Sequence, residues 1–150
     1  MKQGEKKRLA IDNSVNINRF ALMDAYPLPN IEDLVNRTTR DKYFSSFDLR
    51  LAYHQVTLLT EERHYTAFEG DGQLFQYKRL PFEVINGVSS FQGSIDKFIT
   101  KNRLKKVYAY LDDLTVTEET LEEHDRNLKC LLDAAVECNL AINEEKSNFA

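Results

Sequence analysis

The chain has 150 residues, of which 42% are hydrophobic and 29% are charged. This length and composition are typical of one globular domain with a single core, and no run of about 18 apolar residues is present to form a transmembrane helix. The net charge of −4 argues mildly against a large independent nucleic-acid-binding surface.

The N-terminal segment is basic but has no apolar run behind it, so it is not a secretory signal. Its cluster Lys6–Arg8 leads into a short apolar strand that ends at Asp12. A solvated terminus is the usual explanation of such a cluster, and a phosphate-contacting edge is the alternative. Cys130 and Cys138 complete no zinc-binding set and suit reduced thiols in an intracellular protein.

Residues 26–30 are predicted to be extended, because a residue that precedes proline is pushed out of the helical region. A helix with acids in its first turn then starts after Pro29. Residues 42–49 predict a strand that ends on Asp48, followed by a tight turn or short helix over residues 50–56. A carboxylate at the end of an apolar strand is either a helix N-cap or a functional acid.

Two further strands are predicted over residues 63–69 and 74–80, on either side of a turn at Gly70–Gly72. An irregular link over residues 81–86 then leads to an amphipathic helix over residues 89–99. These elements make a hairpin followed by a helix.

A long helix is predicted over residues 118–140, and Thr120 with Glu123 forms a capping box near its start. A final strand or loop covers residues 141–149, and no helix cap or polar tail follows, so we expect the chain to be truncated there. The buried stripe of the long helix is expected to consist of Leu121, Leu128, Leu131, Leu132 and Ala135.

The most informative stretch covers residues 107–116, where two strand-forming runs flank Asp112 and Asp113. Neighbouring side chains on a strand point to opposite faces, so a tight bend is needed to bring both carboxylates near one point. Two carboxylates in that position repel each other unless a cation joins them, and Mg²⁺ takes oxygen ligands. The pair is therefore a candidate Mg²⁺ site, although aspartate is also common as a plain turn residue.

The order of elements predicts an α+β fold, a small antiparallel sheet backed by helices. If the strand with Asp48 lies beside the hairpin with Asp112 and Asp113, three carboxylates meet at one edge of the sheet. Such a set would hold two Mg²⁺ ions about 4 Å apart for an in-line phosphoryl displacement.

The motifs of the chain resemble those of reverse transcriptases in their order and spacing. The tetrapeptide Tyr110–Asp113 alone would be a weak match, whereas four ordered motifs over nearly the whole chain are specific. Residues 17–20, 24–29 and 122–125 further resemble the pol polyprotein of gypsy-type LTR retrotransposons. The matching motifs are Phe47–Gln55, Tyr65–Phe68, Leu80–Phe82 with Asn86 and Phe91–Gln92, and Tyr110–Asp113.

The resemblance implies that residues 1–150 are one domain, a polymerase palm with partial fingers that is truncated at both ends. The family's further fingers sequence would precede Met1, and its primer grip, thumb, connection and ribonuclease H would follow Ala150. The thumb supplies much of the hold on duplex, and affinity for nucleic acid depends on phosphate contacts. We therefore expect this piece to grip a template–primer poorly.

The activity implied by the resemblance is that of an RNA-directed DNA polymerase with two Mg²⁺ ions, for which Mn²⁺ could substitute. Asp48, Asp112 and Asp113 match the catalytic acids, and the first two would be the main metal ligands together with the carbonyl of Leu49. Asp113 would lie nearer the primer end. Lys146 matches a lysine that protonates the departing pyrophosphate, and a solvated charge is the alternative for it.

The resemblance also implies a site for the incoming dNTP. Tyr53 matches the aromatic residue that rejects a 2′-hydroxyl, or it is a plain core residue. Leu51 and Ala52 would offer backbone N–H groups to the phosphates, and Phe82 would pack beside the sugar. Arg8 matches a fingers arginine that contacts the triphosphate, and a solvated charge is again the alternative.

Two departures from the family pattern leave a second hypothesis open. Glu83 stands where the family usually has glycine, which accepts a positive φ, and Asn13 stands where an aromatic residue is usual. A catalytically inactive retroelement relic or co-opted fragment would explain such changes, whereas the intact acids argue against long decay. A different palm-fold nucleotidyl transferase, such as a cyclase, is a third hypothesis, but Tyr53 and Tyr110–Asp113 favour template-directed synthesis.

The implied partners are dNTP, an RNA or DNA template with its primer, and other parts of a pol polyprotein, with no membrane. The family also implies copying of RNA in cytoplasmic virus-like particles, and so an intracellular protein that is not secreted.

Overall fold

The structure, a computed structural model, describes residues 11–14 and 17–150. The predicted basic strand and Arg8 therefore lie essentially outside the described residues. The strands are β1 (Tyr43–Leu49), β2 (Phe68–Gly70), β3 (Gln73–Phe75), β4 (Val107–Tyr110), β5 (Asp113–Glu118) and β6 (Ile142–Asn148). The helices are α1 (Ile17–Phe20), α2 (Ile31–Thr38), α3 (Ala52–Gln55), α4 (Gly87–Lys101) and α5 (Leu121–Glu137), with a 3-10 helix over Thr60–Thr66.

Four of the strands form an antiparallel sheet in the order β4-β5-β1-β6. The register places Asp48 of β1 opposite Asp113 of β5, and Tyr110 of β4 also pairs with Asp113. The predicted antiparallel sheet and its Asp-Asp hairpin are thus confirmed, and the hairpin lies directly beside the strand that carries Asp48.

One face of this sheet carries the core. Phe47 and Leu114 from the sheet are fully buried against Phe91 of α4 and Leu131 of α5. Because side chains alternate along a strand, Phe44 points to the other face, where it lines a groove beside α2. The helical backing on the core face confirms the α+β class.

The predicted strand over residues 63–69 is wrong for its first half, which is the 3-10 helix. The hydroxyl of Thr66 donates to the Arg63 carbonyl at 2.7 Å and accepts the Tyr77 N–H at 2.9 Å. Such local side-chain hydrogen bonds compete with a strand ladder. The returning strand is also shorter than predicted, because the Leu80 N–H bonds to the Val56 carbonyl at 2.9 Å instead of extending β3.

The long helix is confirmed with Thr120 as its N-cap, since the Thr120 hydroxyl accepts the Glu123 N–H at 3.4 Å. The predicted stripe is confirmed for Leu131 and Ala135, which are buried, and for Leu128 and Leu132, which are partly buried against the core. It is wrong for Leu121, which is 47% exposed. His124 takes the fully buried position of the first turn instead. In the described part of the chain, no helix is long and apolar enough to cross a membrane.

Candidate active site

Three carboxylates come together at one end of the sheet. Asp48 and Asp113 are paired across β1 and β5, and Asp112 lies in the two-residue turn that joins β4 to β5. The Leu49 N–H donates to the Asp112 carbonyl at 3.0 Å and so fastens this turn to the end of β1. The juxtaposition expected from the sequence is therefore present.

The turn has an unfavourable backbone that a buried side chain stabilises. Leu111 has φ 51°, a left-handed conformation that costs a residue with a Cβ about 1–2 kcal/mol. Its N–H donates to Oε1 of Gln92 at 3.3 Å, and Nε2 of Gln92 donates to the Ala109 carbonyl at 3.4 Å. Gln92 is fully buried, so this fixed amide supports the turn from α4.

The sequence places Gln92 in a motif but predicts no role for its side chain. One clue was available, because a glutamine directly after Phe91 lies on the apolar face of α4. A polar group in such a position needs partners, but the sequence does not show which backbone groups provide them.

The charges of the carboxylates act on each other. Partial burial, followed by the negative charges of Asp113 and Asp48, raises the pKa of Asp112 above its ordinary value. Asp48 is partly compensated, since Lys146 Nζ lies 3.7 Å from its Oδ2 and the Asn143 amide donates to its Oδ1 at 3.2 Å. The site therefore holds excess negative charge centred on Asp112.

This donor set fits a hard divalent cation in its chemistry, because carboxylate and carbonyl oxygens are the usual Mg²⁺ ligands. Among residues 11–14 and 17–150, however, no group of three or more His, Cys, Asp or Glu side chains is already arranged to hold a metal ion. The carboxylates are neighbours rather than a finished ligand shell.

The raised pKa leads to a stability prediction for Asp112→Asn in the absence of divalent ions. A raised carboxyl pKa means that the folded state binds more protons than the unfolded state between the ordinary and the raised value, so stability falls as pH rises through that window. Above it, the variant should be more stable than the parent by about 0.5 kcal/mol, the size of exposed charge interactions. Urea unfolding at several pH values measures this difference.

The difference should shrink as pH falls below the ordinary aspartate value, because the parent carboxyl is then protonated in both states. Asp71→Asn is the control, since Asp71 is an exposed carboxylate in the β2–β3 turn and asparagine tolerates its positive φ. An Asp112→Asn variant less stable than the parent at neutral pH would contradict the prediction.

Tyr53 of α3 lies beside the carboxylates. Burial, followed by the negative charge of Asp112, raises the pKa of its phenol. Its ring packs 5.4 Å from that of Phe82 and 5.2 Å from that of Phe91. A Cβ on Gly87 would touch the same ring at 3.7 Å. Tyr53 is thus packed against the core and also faces the acidic end of the sheet.

The segment before α3 is held by Gln55, a second residue that the sequence pattern left without a role. Its Nε2 donates to the Arg50 carbonyl at 2.7 Å and to the Ala141 carbonyl at 2.9 Å, and its Oε1 accepts the Ala141 N–H at 2.7 Å. Leu51 in this loop has φ 51° and is 61% exposed, whereas Ala52 is buried. The loop therefore has a defined position next to β6.

The loop that carries Phe82 is fastened to the N-terminal segment by asparagines. Asn13 is buried and its Nδ2 donates to the Phe82 carbonyl at 3.2 Å. Asn18 donates to the Glu83 carbonyl at 2.7 Å. Asn13 therefore has a structural role in this chain.

Glu83 has φ 64°, a left-handed backbone conformation that glycine adopts without steric cost. We expect Glu83→Gly to stabilise the fold by about 0.5–1 kcal/mol, because relief of about 1–2 kcal/mol of strain exceeds the extra backbone entropy of glycine. Denaturant unfolding measures the gain. Glu83→Ala is the control, since it removes the charge and keeps the Cβ, and an equal gain in both variants would assign the effect to the charge.

The structure brings together most of the residues singled out in the sequence. Asp48, Asp112 and Asp113 lie at one end of the sheet, with Lys146 against Asp48 and Tyr53 influenced by Asp112. Phe82, Leu51 and Ala52 belong to the loops and the short helix around Tyr53. Arg8 lies outside the described residues.

Comparison with known proteins agrees with this arrangement. Residues 2–150 match the family described as Reverse transcriptase (RNA-dependent DNA polymerase). The chain belongs to the reverse transcriptase family.

The curated relatives are polyproteins of mobile elements and viruses. The Retrovirus-related Pol polyprotein from transposon gypsy of Drosophila melanogaster is 32% identical over 143 residues, which cover 95% of this chain and 14% of the relative. The Pol polyprotein from transposon opus of the same organism is 32% identical, with 97% and 15% covered. A putative enzymatic polyprotein of Cassava vein mosaic virus is 31% identical, with 96% and 22% covered. The chain thus spans less than a quarter of these relatives.

Solved structures show the same fold. The foamy viral protease–reverse transcriptase dRH in complex with double-stranded DNA aligns with a TM-score of 0.84 at 21% identity, covering 99% of this chain and 26% of that chain. The foamy viral protease–reverse transcriptase in complex with an RNA/DNA hybrid aligns with a TM-score of 0.80 at 20% identity, covering 92% and 18%.

Proposed function

We propose that this chain is the palm, with part of the fingers, of an RNA-directed DNA polymerase from a gypsy-type retroelement. It would transfer a nucleotide from dNTP to a primer 3′-hydroxyl. The observation that carries the proposal is the meeting of Asp48, Asp112 and Asp113 at one end of the sheet, where partial burial and then the charges of the other two acids raise the pKa of Asp112. Membership of the family supports the same chemistry.

Divalent ions are part of this proposal. Asp48 and Asp112, with the Leu49 carbonyl, would hold two Mg²⁺ ions or Mn²⁺ in their place, and Asp113 would lie nearer the primer end. Bound there, the ions would activate the primer hydroxyl and neutralise the charge of the departing pyrophosphate. Asp48 would exchange its contact with Lys146 for the metal, because the lysine is 66% exposed and free to move.

The nucleotide site would be formed by the segment around α3. Tyr53 would lie under the sugar and exclude a 2′-hydroxyl, with Phe82 packed beside it. Backbone N–H groups of Leu51 and Ala52 would bind the phosphates, because the first amides of a helix lack intrahelical partners. Lys146, once released, would protonate the pyrophosphate, and Arg8 would contact the triphosphate from the fingers.

The partners follow from the same reaction. A template with its primer would cross the acidic end of the sheet, as the complexes of foamy viral reverse transcriptase with hybrid and with duplex DNA suggest. Other parts of a pol polyprotein would complete the grip on duplex, and the reaction would take place in cytoplasmic virus-like particles.

The test is primer extension on an RNA template, with Mg²⁺ and dNTP, by the chain and by a fusion of the chain with the remaining polymerase segments of a related pol polyprotein. Template-directed extension that needs a divalent ion supports the polymerase. A lack of extension by the fusion, under conditions where the related polyprotein is active, would favour the hypothesis of an inactive relic. The left-handed backbone conformation of Glu83 is the structural feature that favours the relic hypothesis, so the Glu83→Gly variant is tested in the same assay.

A further inference from the structure

A line of hydrogen-bonded polar side chains runs from the N-terminal segment, through α4, to the turn that joins β4 to β5. We infer that Tyr26 acts through Asp96 and Gln92 as a positioning residue for the Leu111–Asp112 turn. The Tyr26 hydroxyl donates to Asp96 Oδ2 at 2.5 Å, Gln92 Nε2 donates to Asp96 Oδ1 at 3.0 Å, and Gln92 Oε1 accepts the Leu111 N–H at 3.3 Å.

The orientation of the Gln92 amide is set by this network. Its NH₂ group has two protons, one for Asp96 and one for the Ala109 carbonyl, and its oxygen faces the Leu111 N–H. A flipped amide would place the oxygen against the Asp96 carboxylate and the NH₂ group against an N–H donor. Asp96 therefore selects the orientation that supports the turn.

Asp96 also strengthens that support. A carboxylate that accepts from an amide polarises it and makes its oxygen a better acceptor, as in other chains of hydrogen bonds. Asp96 is only partly buried, whereas Gln92 is fully buried. The hydroxyl of Tyr26 occupies the other carboxylate oxygen and holds the side chain of Asp96 against α4.

Tyr26 is itself held in place. Its ring lies against Gly93 of α4, where an added Cβ would be 3.5 Å away. The backbone before it is fixed by Asn86, whose Oδ1 accepts the Asp24 N–H at 2.8 Å and whose Nδ2 donates to the Leu22 carbonyl at 2.8 Å. The hydrogen bond to Asp96 raises the pKa of Tyr26 above its ordinary value of 10.0, so the hydroxyl remains a donor at neutral pH.

This line matters because Leu111 has a strained backbone next to Asp112. Loss of the acceptor for its N–H would let the turn relax and move the Asp112 carboxylate relative to Asp48. The consequence for catalysis rests on the proposed function, whereas the coupling of Tyr26 to Leu111 does not.

The test is amide hydrogen exchange and the amide proton shift of Leu111 in the metal-free chain. Tyr26→Phe keeps the ring on Gly93 and removes the hydroxyl, and it should speed exchange at Leu111 about fivefold, the size of one ordinary hydrogen bond. Gln92→Met should speed it at least about tenfold. In the Gln92→Met background, Tyr26→Phe should have no further effect, which a merely structural role would not produce.

Tyr65→Phe is the matched control, because Tyr65 is 61% exposed, and the buried Val116 amide reports global opening. If Gln92→Met does not fold, Asp96→Asn replaces it in the double-variant comparison. The inference would be overturned if Tyr26→Phe left the exchange rate of the Leu111 amide unchanged, or changed it by the same factor as that of the Val116 amide.

A Mg²⁺ titration read on the Asp112 and Asp113 amide signals separates this inference from the proposed function. If the turn positions a metal ligand, Tyr26→Phe should raise the Mg²⁺ concentration at the titration midpoint about fivefold. If Mg²⁺ binds to neither protein, the metal site of the proposed function fails, while the exchange at Leu111 still decides the positioning role of Tyr26.

Discussion

Replacing Asp112 by asparagine is expected to slow primer extension at least about a thousandfold. Divalent ions contribute several kcal/mol of stabilisation to the transition state of phosphoryl transfer, and each tenfold in rate corresponds to about 1.4 kcal/mol. Partial burial, followed by the negative charges of Asp113 and Asp48, raises the pKa of the Asp112 carboxyl. A neutral amide at this position would remove one of the proposed metal ligands. Extension by a fusion of this chain with the remaining polymerase segments of a related pol polyprotein, with saturating dNTP, measures the loss.

The same substitution is expected to stabilise the metal-free fold. A gain in stability together with a loss of activity would show that the loss does not come from unfolding. A variant that is inactive only because it unfolds would lose both stability and activity. Asp71→Asn removes one exposed carboxylate from the β2–β3 turn, which does not belong to the sheet that carries the three acids. This variant should leave the extension rate unchanged within about twofold. If Asp112→Asn retained a tenth or more of the parental extension rate, the proposal that Asp112 is a metal ligand would be contradicted.

The sheet was predictable because its strands have a simple alternation. In β1, Ser45, Phe47 and Leu49 are buried, whereas Asp48 between the last two is half-exposed, as a period of two requires. The Asp-Asp turn was also predictable, since strand-forming residues flank it on both sides. The pairing of β1 with β5, however, was an assumption of the sequence analysis, because no local pattern shows which strands lie side by side.

The parts that sequence reasoning missed depend on tertiary hydrogen bonds. Thr66 stabilises a 3-10 helix through a bond to Tyr77 that no periodicity shows. Gln92 and Gln55 find their backbone partners in segments distant along the chain. Glutamine is most often an exposed residue, so its type gives no sign of these bonds. Only the packing of α4 and β6 against the turn and the loop gives the two residues a role.

Replacing Tyr53 by valine is expected to lower the preference for dNTP over rNTP about a hundredfold, near the limit for rejection of an added hydroxyl by shape. The ring is held between Phe82 and Phe91 and over Gly87, so it cannot move aside for a 2′-hydroxyl. Valine removes most of that surface. Single-nucleotide incorporation with dNTP and rNTP, compared as kcat/KM, measures the change in preference.

Tyr53→Phe is the matched control, because it keeps the ring and should keep the preference. The core explanation of Tyr53 predicts a different pattern, in which valine lowers stability by up to about 3 kcal/mol and reduces both incorporation rates by the same factor. A change confined to the rNTP rate therefore identifies Tyr53 as a group that touches the sugar. Equal losses for both nucleotides would assign Tyr53 to the packing between α3 and α4 alone.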